Sequence, residues 1–173
     1  MSQLQMPKID NKTLDKKDYY ISEIEKIIIK KENVLSNEDE IRPYETDALT
    51  AYREMPMVVV LPETIDQVSS ILKFCNQNKI KVVPRGAGTG LSGGSLPLKD
   101  CVLMSMSKFN KITEVDYINR CVKAQPCVTN LAITQAVQDK GFYYAPDPSS
   151  QMACSIGGNV AENSGGVHSL KYG

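Results

Sequence analysis

Apolar side chains recur at helical spacing in three stretches of this chain, with charged residues between them. This pattern predicts three amphipathic helices, over residues 15–31, 64–78 and 129–140. In the second helix Thr64 and Gln67 match a capping box, and after the third Gly141 supplies a stop signal. The faces expected to be buried are Tyr20, Ile21, Ile24, Ile27 and Ile28; Ile65, Val68, Ile71, Leu72 and Cys75; and Ala132, Ile133, Ala136 and Val137.

Short β-branched runs predict the strands. The run Met57–Pro62 lacks alternation, which is typical of a strand buried on both faces. With the helix that follows and a strand at Ile80–Arg85, it predicts a parallel βαβ unit with a right-handed crossover. Further strands are predicted over residues 101–106, 111–116 and 120–126, the last two as an antiparallel hairpin. The predicted class is α+β, with a small parallel βαβ subdomain followed by a second, mainly antiparallel sheet flanked by helices.

Charge and composition argue against several classes of function. The 173 residues contain 20 Lys and Arg against 20 Asp and Glu, so bulk electrostatics does not favour a nucleic-acid partner. The longest apolar run, Met57–Leu61, is far shorter than a membrane span, and no secretory signal is recognisable, so we expect a cytoplasmic protein. The five cysteines form no CxxC pair and His168 is the only histidine, which predicts free thiols and no metal site.

Five glycines lie among the fourteen residues of Val82–Ser95, directly after the second predicted strand. Main-chain N–H groups without side chains in front of them form a concave donor surface suited to a diphosphate. Gly88, Gly90 and Gly93 satisfy the dinucleotide pattern GxGxxG, but the strand at Cys101 follows too soon for the helix that this motif must open. No Gly-Lys-Ser/Thr phosphate loop occurs either. A tight strand crossing that needs small residues is the structural alternative.

A second glycine-rich segment lies near the end of the chain. Residues 143–150 contain the rigid sequence Pro-Asp-Pro, and residues 155–166 hold four more glycines. Two such segments favour a ligand site shared between them. Asn159 and Asn163 offer amide groups to a ligand, with helix capping or a turn as the structural alternative for both.

Three motifs resemble the FAD-linked oxidases of the vanillyl-alcohol oxidase and p-cresol methylhydroxylase fold. They are RGAGTGLSGG from Arg85, YAPDPSS from Tyr144 and CSIGGNVAENSGGVHSLKYG from Cys154. Within that fold the chain is most similar to the glycolate oxidase flavoprotein subunit and D-lactate dehydrogenase group, from about Pro43 to Gly173. We therefore expect an N-terminal helical segment at 1–42 and an FAD-binding domain at 43–173. The resemblance also implies that this domain is incomplete at its C-terminus and lacks the family's cap domain.

The resemblance implies FAD as the cofactor. Backbone amides of residues 86–94 would hold its diphosphate, with Thr89 and Ser92 as side-chain donors, and the second segment would approach the diphosphate and the isoalloxazine ring. The expected cofactor-binding residues are Arg85, Gly86, Ala87, Gly88, Thr89, Gly90, Ser92, Gly93, Gly94, Pro146, Asp147, Ser149, Gly157, Gly158, Asn159 and Asn163.

The implied activity is oxidation of a small 2-hydroxyacid, with hydride passing from the substrate α-carbon to flavin N5. An iron–sulfur electron-transfer subunit is the partner that this group suggests, and any membrane contact would run through partner subunits. No catalytic residue is assigned, because His168 has no visible carboxylate to orient it and Cys154 fits a buried small residue better than a flavin attachment point. The alternatives are a module that folds without retaining FAD, another FAD-linked oxidase of this fold, and a nucleotide-phosphate binder unrelated to flavins.

Overall fold

A four-stranded mixed sheet forms the centre of the computed structural model, which describes residues 7–172. Its strands are β1 (Val34–Leu35), β2 (Val58–Val60), β3 (Lys81–Arg85) and β4 (Cys101–Ser105), in the order β1-β2-β4-β3. Strands β2 and β3 both run parallel to β4, and β1 is antiparallel to β2. The predicted strand–helix–strand unit is therefore parallel, but β4 lies between its two strands.

The α-helices lie before, between and after these strands. They are α1 (Asn11–Leu14), α2 (Lys17–Ile28), α3 (Glu38–Ile41), α4 (Ile65–Asn78), α5 (Asn130–Val137), α6 (Ile156–Glu162) and α7 (Ser169–Tyr172). A separate antiparallel hairpin of β5 (Ile112–Asp116) and β6 (Cys121–Ala124) precedes α5, as predicted. The α+β class is confirmed. Helix α6 was not predicted, since its two glycines disfavour a helix on local propensity alone.

The main hydrophobic core lies between one face of the sheet and helices α2 and α4. Tyr20, Ile24 and Ile28 of α2 pack there, so residues of the predicted segment 1–42 share the core with the sheet. Every residue of β2 and β4 is buried, as expected for strands covered on both faces. Residues Ile41, Val59 and Leu103 form a smaller cluster.

Helix α4 buries a narrower face than its sequence pattern predicts. Ile71 and Cys75 are buried, but Ile65 and Leu72 are 78% and 45% exposed. Leu72 follows Ile71 by about 100° around the helix, which carries it off the sheet-facing stripe, and Ile65 stands at the first turn. In α5, likewise, Ala136 is exposed although it belongs to the predicted face.

The predicted cap of α4 is present and also ties two helices together. Thr64 Oγ1 accepts a hydrogen bond from the Gln67 N–H at 3.2 Å, and the Gln67 side chain accepts one from the Glu63 N–H at 2.7 Å. The same side chain donates to the carbonyl oxygen of Ile28 at 3.1 Å. The end of α2 is thereby held against the start of α4. The predicted cap of α5 is present as well, because Thr129 accepts from the Ala132 N–H at 3.2 Å.

Candidate functional site

An open cleft of about 1020 Å³ lies between the two glycine-rich segments. One wall is the loop that follows β3, and the other runs through residues 148–164, including α6. Of the predicted binding residues, the cleft is lined by Gly86, Ala87, Gly88, Thr89, Gly90, Ser92, Gly94, Ser149, Gly158 and Asn159. The lining also includes Ser95, whose hydroxyl the sequence suggested as a donor beside those of Thr89 and Ser92. The other lining residues were not among the expected binding residues; they are Pro84, Leu91, Pro148, Ser150, Cys154, Ser155, Ala161, Glu162 and Ser164.

Residues 44–49 support the glycine loop from behind. The Ala48 N–H donates to the carbonyl oxygen of Gly88 at 3.0 Å, and Ser95 Oγ lies 3.4 Å from Oδ2 of the buried Asp47. Gly88 has φ +72°, a conformation that side chains with a Cβ rarely adopt. This support is a tertiary contact between distant segments, so no local sequence signal revealed it.

Arg85 belongs to this support and does not line the cleft. Its Nη1 donates to the carbonyl oxygen of Thr46 at 2.7 Å, and its guanidinium lies 5.7 Å from the centre of the Tyr44 ring. Partial burial lowers the pKa of Arg85. The guanidinium is thus committed to fixing the loop, and the side chain lies against Gly88, where a Cβ would collide with it.

The opposite wall is positioned by α6. Ser155 caps this helix by accepting from the Gly158 N–H at 3.3 Å. The Gly157 N–H donates to the carbonyl oxygen of Pro126 at 2.8 Å, and a Cβ on Gly157 would stand only 2.7 Å from Cβ of Pro126. Gly157 therefore permits close packing of α6 behind the cleft wall.

A chain of buried amides connects α6 with α5 and the rigid segment. Asn159 Nδ2 donates to Oδ1 of Asn130, and Asn130 Nδ2 donates to the carbonyl oxygen of Pro146 at 3.0 Å. Asn130 is only 1% exposed and Asn159 is 8% exposed. These bonds satisfy polar groups that would be costly to bury unpaired, so they fix the position of the wall. Pro146 contributes through its carbonyl oxygen and does not line the cleft.

Asp147 and His168 form a contact that the sequence did not indicate. His168 Nδ1 lies 3.0 Å from Asp147 Oδ1, so the histidine does have a carboxylate to orient it, contrary to our expectation. The Asp147 N–H also donates to the carbonyl oxygen of Gly165 at 3.2 Å. Gly166, with φ +67°, allows this approach because a Cβ there would overlap the Asp147 carbonyl group.

Two other predicted residues lie at turns outside the cleft lining. Asn163 has φ +54° and is the C-terminal cap of α6, which is the structural alternative that its sequence left open. Gly93 has φ +78°, and its carbonyl oxygen accepts from the Leu96 N–H at 3.2 Å. Both residues therefore shape the walls through their backbone conformation.

The cleft offers neutral hydrogen-bond donors. Its lining contains hydroxyl groups and a single charged side chain, that of Glu162, with no lysine or arginine. Main-chain N–H groups and hydroxyls are the donor set that a diphosphate can use without a cationic side chain. At Gly94 a Cβ would find no atom closer than 3.8 Å, so this part of the wall is open to a ligand.

A second cavity of about 440 Å³ lies between the hairpin and α5 and contains none of the predicted binding residues. Among residues 7–172, no group of three or more His, Cys, Asp or Glu side chains could hold a metal ion. Within the same range, no helix is long and apolar enough to cross a membrane.

The chain matches a known protein family in sequence. Residues 56–173 match the family described as FAD binding domain. The chain belongs to this family. FAD is accordingly the cofactor of this FAD-binding domain, and the donor set and the open glycine wall of the cleft fit it.

The relatives of this FAD-binding domain include hydroxyacid enzymes. It is 57% identical over 140 residues to the glycolate oxidase subunit GlcD of Escherichia coli K12. The matched region covers 81% of this chain and 28% of GlcD. It is 40% identical over 128 residues to a D-lactate dehydrogenase of Anaerostipes hadrus, and that match covers 73% of this chain and 27% of the enzyme. The chain thus spans less than a third of the length of these relatives.

A solved structure confirms the predicted fold. Substrate-bound p-cresol methylhydroxylase superposes on the FAD-binding domain with a TM-score of 0.69 at 22% identity. The match covers 88% of this chain and 30% of that one. At this identity the similarity shows the fold alone.

Proposed function

We propose that this chain is the FAD-binding part of a flavin-dependent 2-hydroxyacid oxidoreductase of the glycolate or D-lactate type. The observation that carries the proposal is the cleft between two glycine-rich walls in a chain 57% identical to a glycolate oxidase subunit. The substrate is a small 2-hydroxyacid, and an iron–sulfur electron-transfer subunit is the proposed partner. The proposed location is cytoplasmic. Residues 1–42 are proposed as an N-terminal helical segment of the FAD-binding domain, because its helix α2 packs in the same core as the sheet.

Both walls of the cleft contribute groups that bind FAD. The main-chain N–H groups of residues 86–94 bind the diphosphate, and Thr89 and Ser92 add hydroxyl donors. Ser149, Gly158 and Asn159 form the facing wall. When bound, FAD supplies the hydride-accepting chemistry, and the protein supplies position and shielding.

Loading the FAD-free chain with FAD tests this function. We expect a visible flavin band that stays with the protein through gel filtration. A colourless protein would instead favour a module that folds without retaining FAD. Thermal stabilisation by ATP or NAD but not by FAD would favour a nucleotide-phosphate binder.

A pair of glycine substitutions tests the position of the cofactor. Gly94→Ala adds a methyl group that meets no protein atom closer than 3.8 Å, so we expect the stability of the FAD-free chain to be unchanged. FAD binding should weaken at least about tenfold, because the methyl group keeps the cofactor from approaching the backbone closely. The control is Gly141→Ala, which strains a left-handed residue that does not line the cleft and should leave FAD affinity unchanged. Equal FAD affinity in Gly94→Ala and the unmodified chain would contradict the assignment of this wall.

A further inference from the structure

The carboxylate of Glu162 reaches across the cleft to the glycine loop. Glu162 is the last residue of α6, and its Oε1 lies 3.4 Å from Oγ of Ser92. A Cβ on Gly90 would collide with this same oxygen, and a Cβ on Gly94 would lie 3.8 Å from it. The carboxylate therefore rests on the open side of the loop, where the glycines leave the backbone bare.

This placement is electrostatically unfavourable for a diphosphate. Glu162 is the only charged side chain among the residues that line the cleft. The Arg85 guanidinium lies behind Gly88 and is bonded to the carbonyl oxygen of Thr46, so it does not contact the cleft. A carboxylate accepts hydrogen bonds as a phosphate oxygen does, so it suits the same donor surface. A diphosphate in that position would face a like charge at close range.

The contact is also weak enough to be exchanged. Glu162 and Ser92 are both exposed, and a hydrogen bond of 3.4 Å is long for a hydroxyl donor. Glu162 stands at the end of its helix, followed by the left-handed residue Asn163. Rotation of the side chain toward solvent therefore disturbs little else.

We propose that Glu162 sets the affinity for FAD by competing with it. In the FAD-free chain its carboxylate occupies the anion-holding surface of the glycine loop, and it turns toward solvent when the diphosphate binds. This inference rests on the proposed cofactor site and adds a residue that opposes binding there. The opposite role, a carboxylate that builds the loop for the cofactor, predicts the reverse effect of its removal.

Charge removal distinguishes the two roles. In Glu162→Gln we expect FAD to bind at least about fivefold more tightly, the factor that matches repulsion between unit charges 4 Å apart in bulk water. ADP, a diphosphate without the flavin, should gain by a similar factor. The advantage of Glu162→Gln should shrink as salt is raised, since counterions screen the repulsion in the unmodified chain.

The experiment titrates the FAD-free chain with FAD, followed by flavin fluorescence, and with ADP by calorimetry. Glu114→Gln is the matched control, because it removes the same charge from an exposed position on β5 away from the cleft lining, and it should leave both affinities unchanged. Glu162→Asp keeps the charge but shortens its reach, so its affinity should fall between those of the unmodified chain and Glu162→Gln. Urea unfolding of each FAD-free variant checks that the fold is intact.

Each outcome decides the matter. Tighter binding by Glu162→Gln, including FAD binding by that variant alone, supports competition. Equal or weaker binding by Glu162→Gln, with FAD still bound by the unmodified chain, overturns the competition and leaves the proposed function standing. FAD binding by neither chain overturns both.

Discussion

Gly88→Ala probes how the glycine loop is built. Gly88 has φ +72°, and a Cβ there would stand 2.6 Å from Cζ and 2.8 Å from Nε of Arg85. The added methyl group must therefore push the guanidinium away from the carbonyl oxygen of Thr46, to which it donates at 2.7 Å. Gly141 has a similar φ of +76° with no atom within 4 Å of a Cβ, so Gly141→Ala carries the backbone strain alone.

The two substitutions should differ by the Arg85 contact. A residue with a Cβ in the left-handed conformation costs about 1–2 kcal/mol, which is the whole expected loss for Gly141→Ala. Gly88→Ala should lose a further ~2 kcal/mol, the usual contribution of a hydrogen bond to a charged group. The expected total for Gly88→Ala is about 3–4 kcal/mol.

Urea unfolding of the FAD-free proteins, followed by circular dichroism, measures both losses. In an Arg85→Ala background the guanidinium is absent, so Gly88→Ala should then cost no more than Gly141→Ala does. If the two glycine substitutions cost the same in the unmodified chain, or if Gly88→Ala costs the same in both backgrounds, Arg85 does not support the loop in the way described.

Two further predictions concern buried groups. Burial raises the pKa of Cys75 and of Cys101 to about 11, whereas Cys121 is exposed. A thiol reagent at pH 8 should therefore label Cys121 in the native chain and react with the other two only in denaturant. Simultaneous labelling of all three would refute this. Burial opposes ionisation of Asp100, but hydrogen bonds from Lys81, at 2.7 Å, and from a backbone N–H lower its pKa overall. The ionised Asp100 carboxylate therefore stabilises the folded state fully above the unfolded-state pKa of about 3.9. This contribution is lost as the pH falls through the lower pKa that Asp100 has in the folded state. Asp100→Asn should therefore cost about 2 kcal/mol at pH 7 and clearly less near pH 3 by urea unfolding, and a loss independent of pH would contradict the assignment.

The sequence predicted those features that depend on neighbouring residues. Thr64 and Thr129 cap helices because a hydroxyl reaches an N–H three residues on, and that spacing is visible in the sequence. The unalternating run at β2 predicted a strand buried on both faces, and the glycine loop after β3 was predicted as a cleft wall from composition and context. The three motifs also carried the family resemblance, because they are short and contiguous.

The tertiary structure decided which residues face the cleft and which hold its walls in place. Arg85 and Gly157 were predicted to bind the cofactor, but Arg85 contacts Thr46 and Gly157 packs on Pro126, and neither partner is near in sequence. Helix α6 forms despite its glycines because its first turn is capped by Ser155 and anchored to Pro126. Glu162 also depends on a tertiary contact, because it lies beside the glycine loop only when α6 packs opposite that loop. Local propensity and motif spacing cannot encode such contacts, because each of them depends on where a distant segment of the chain comes to lie.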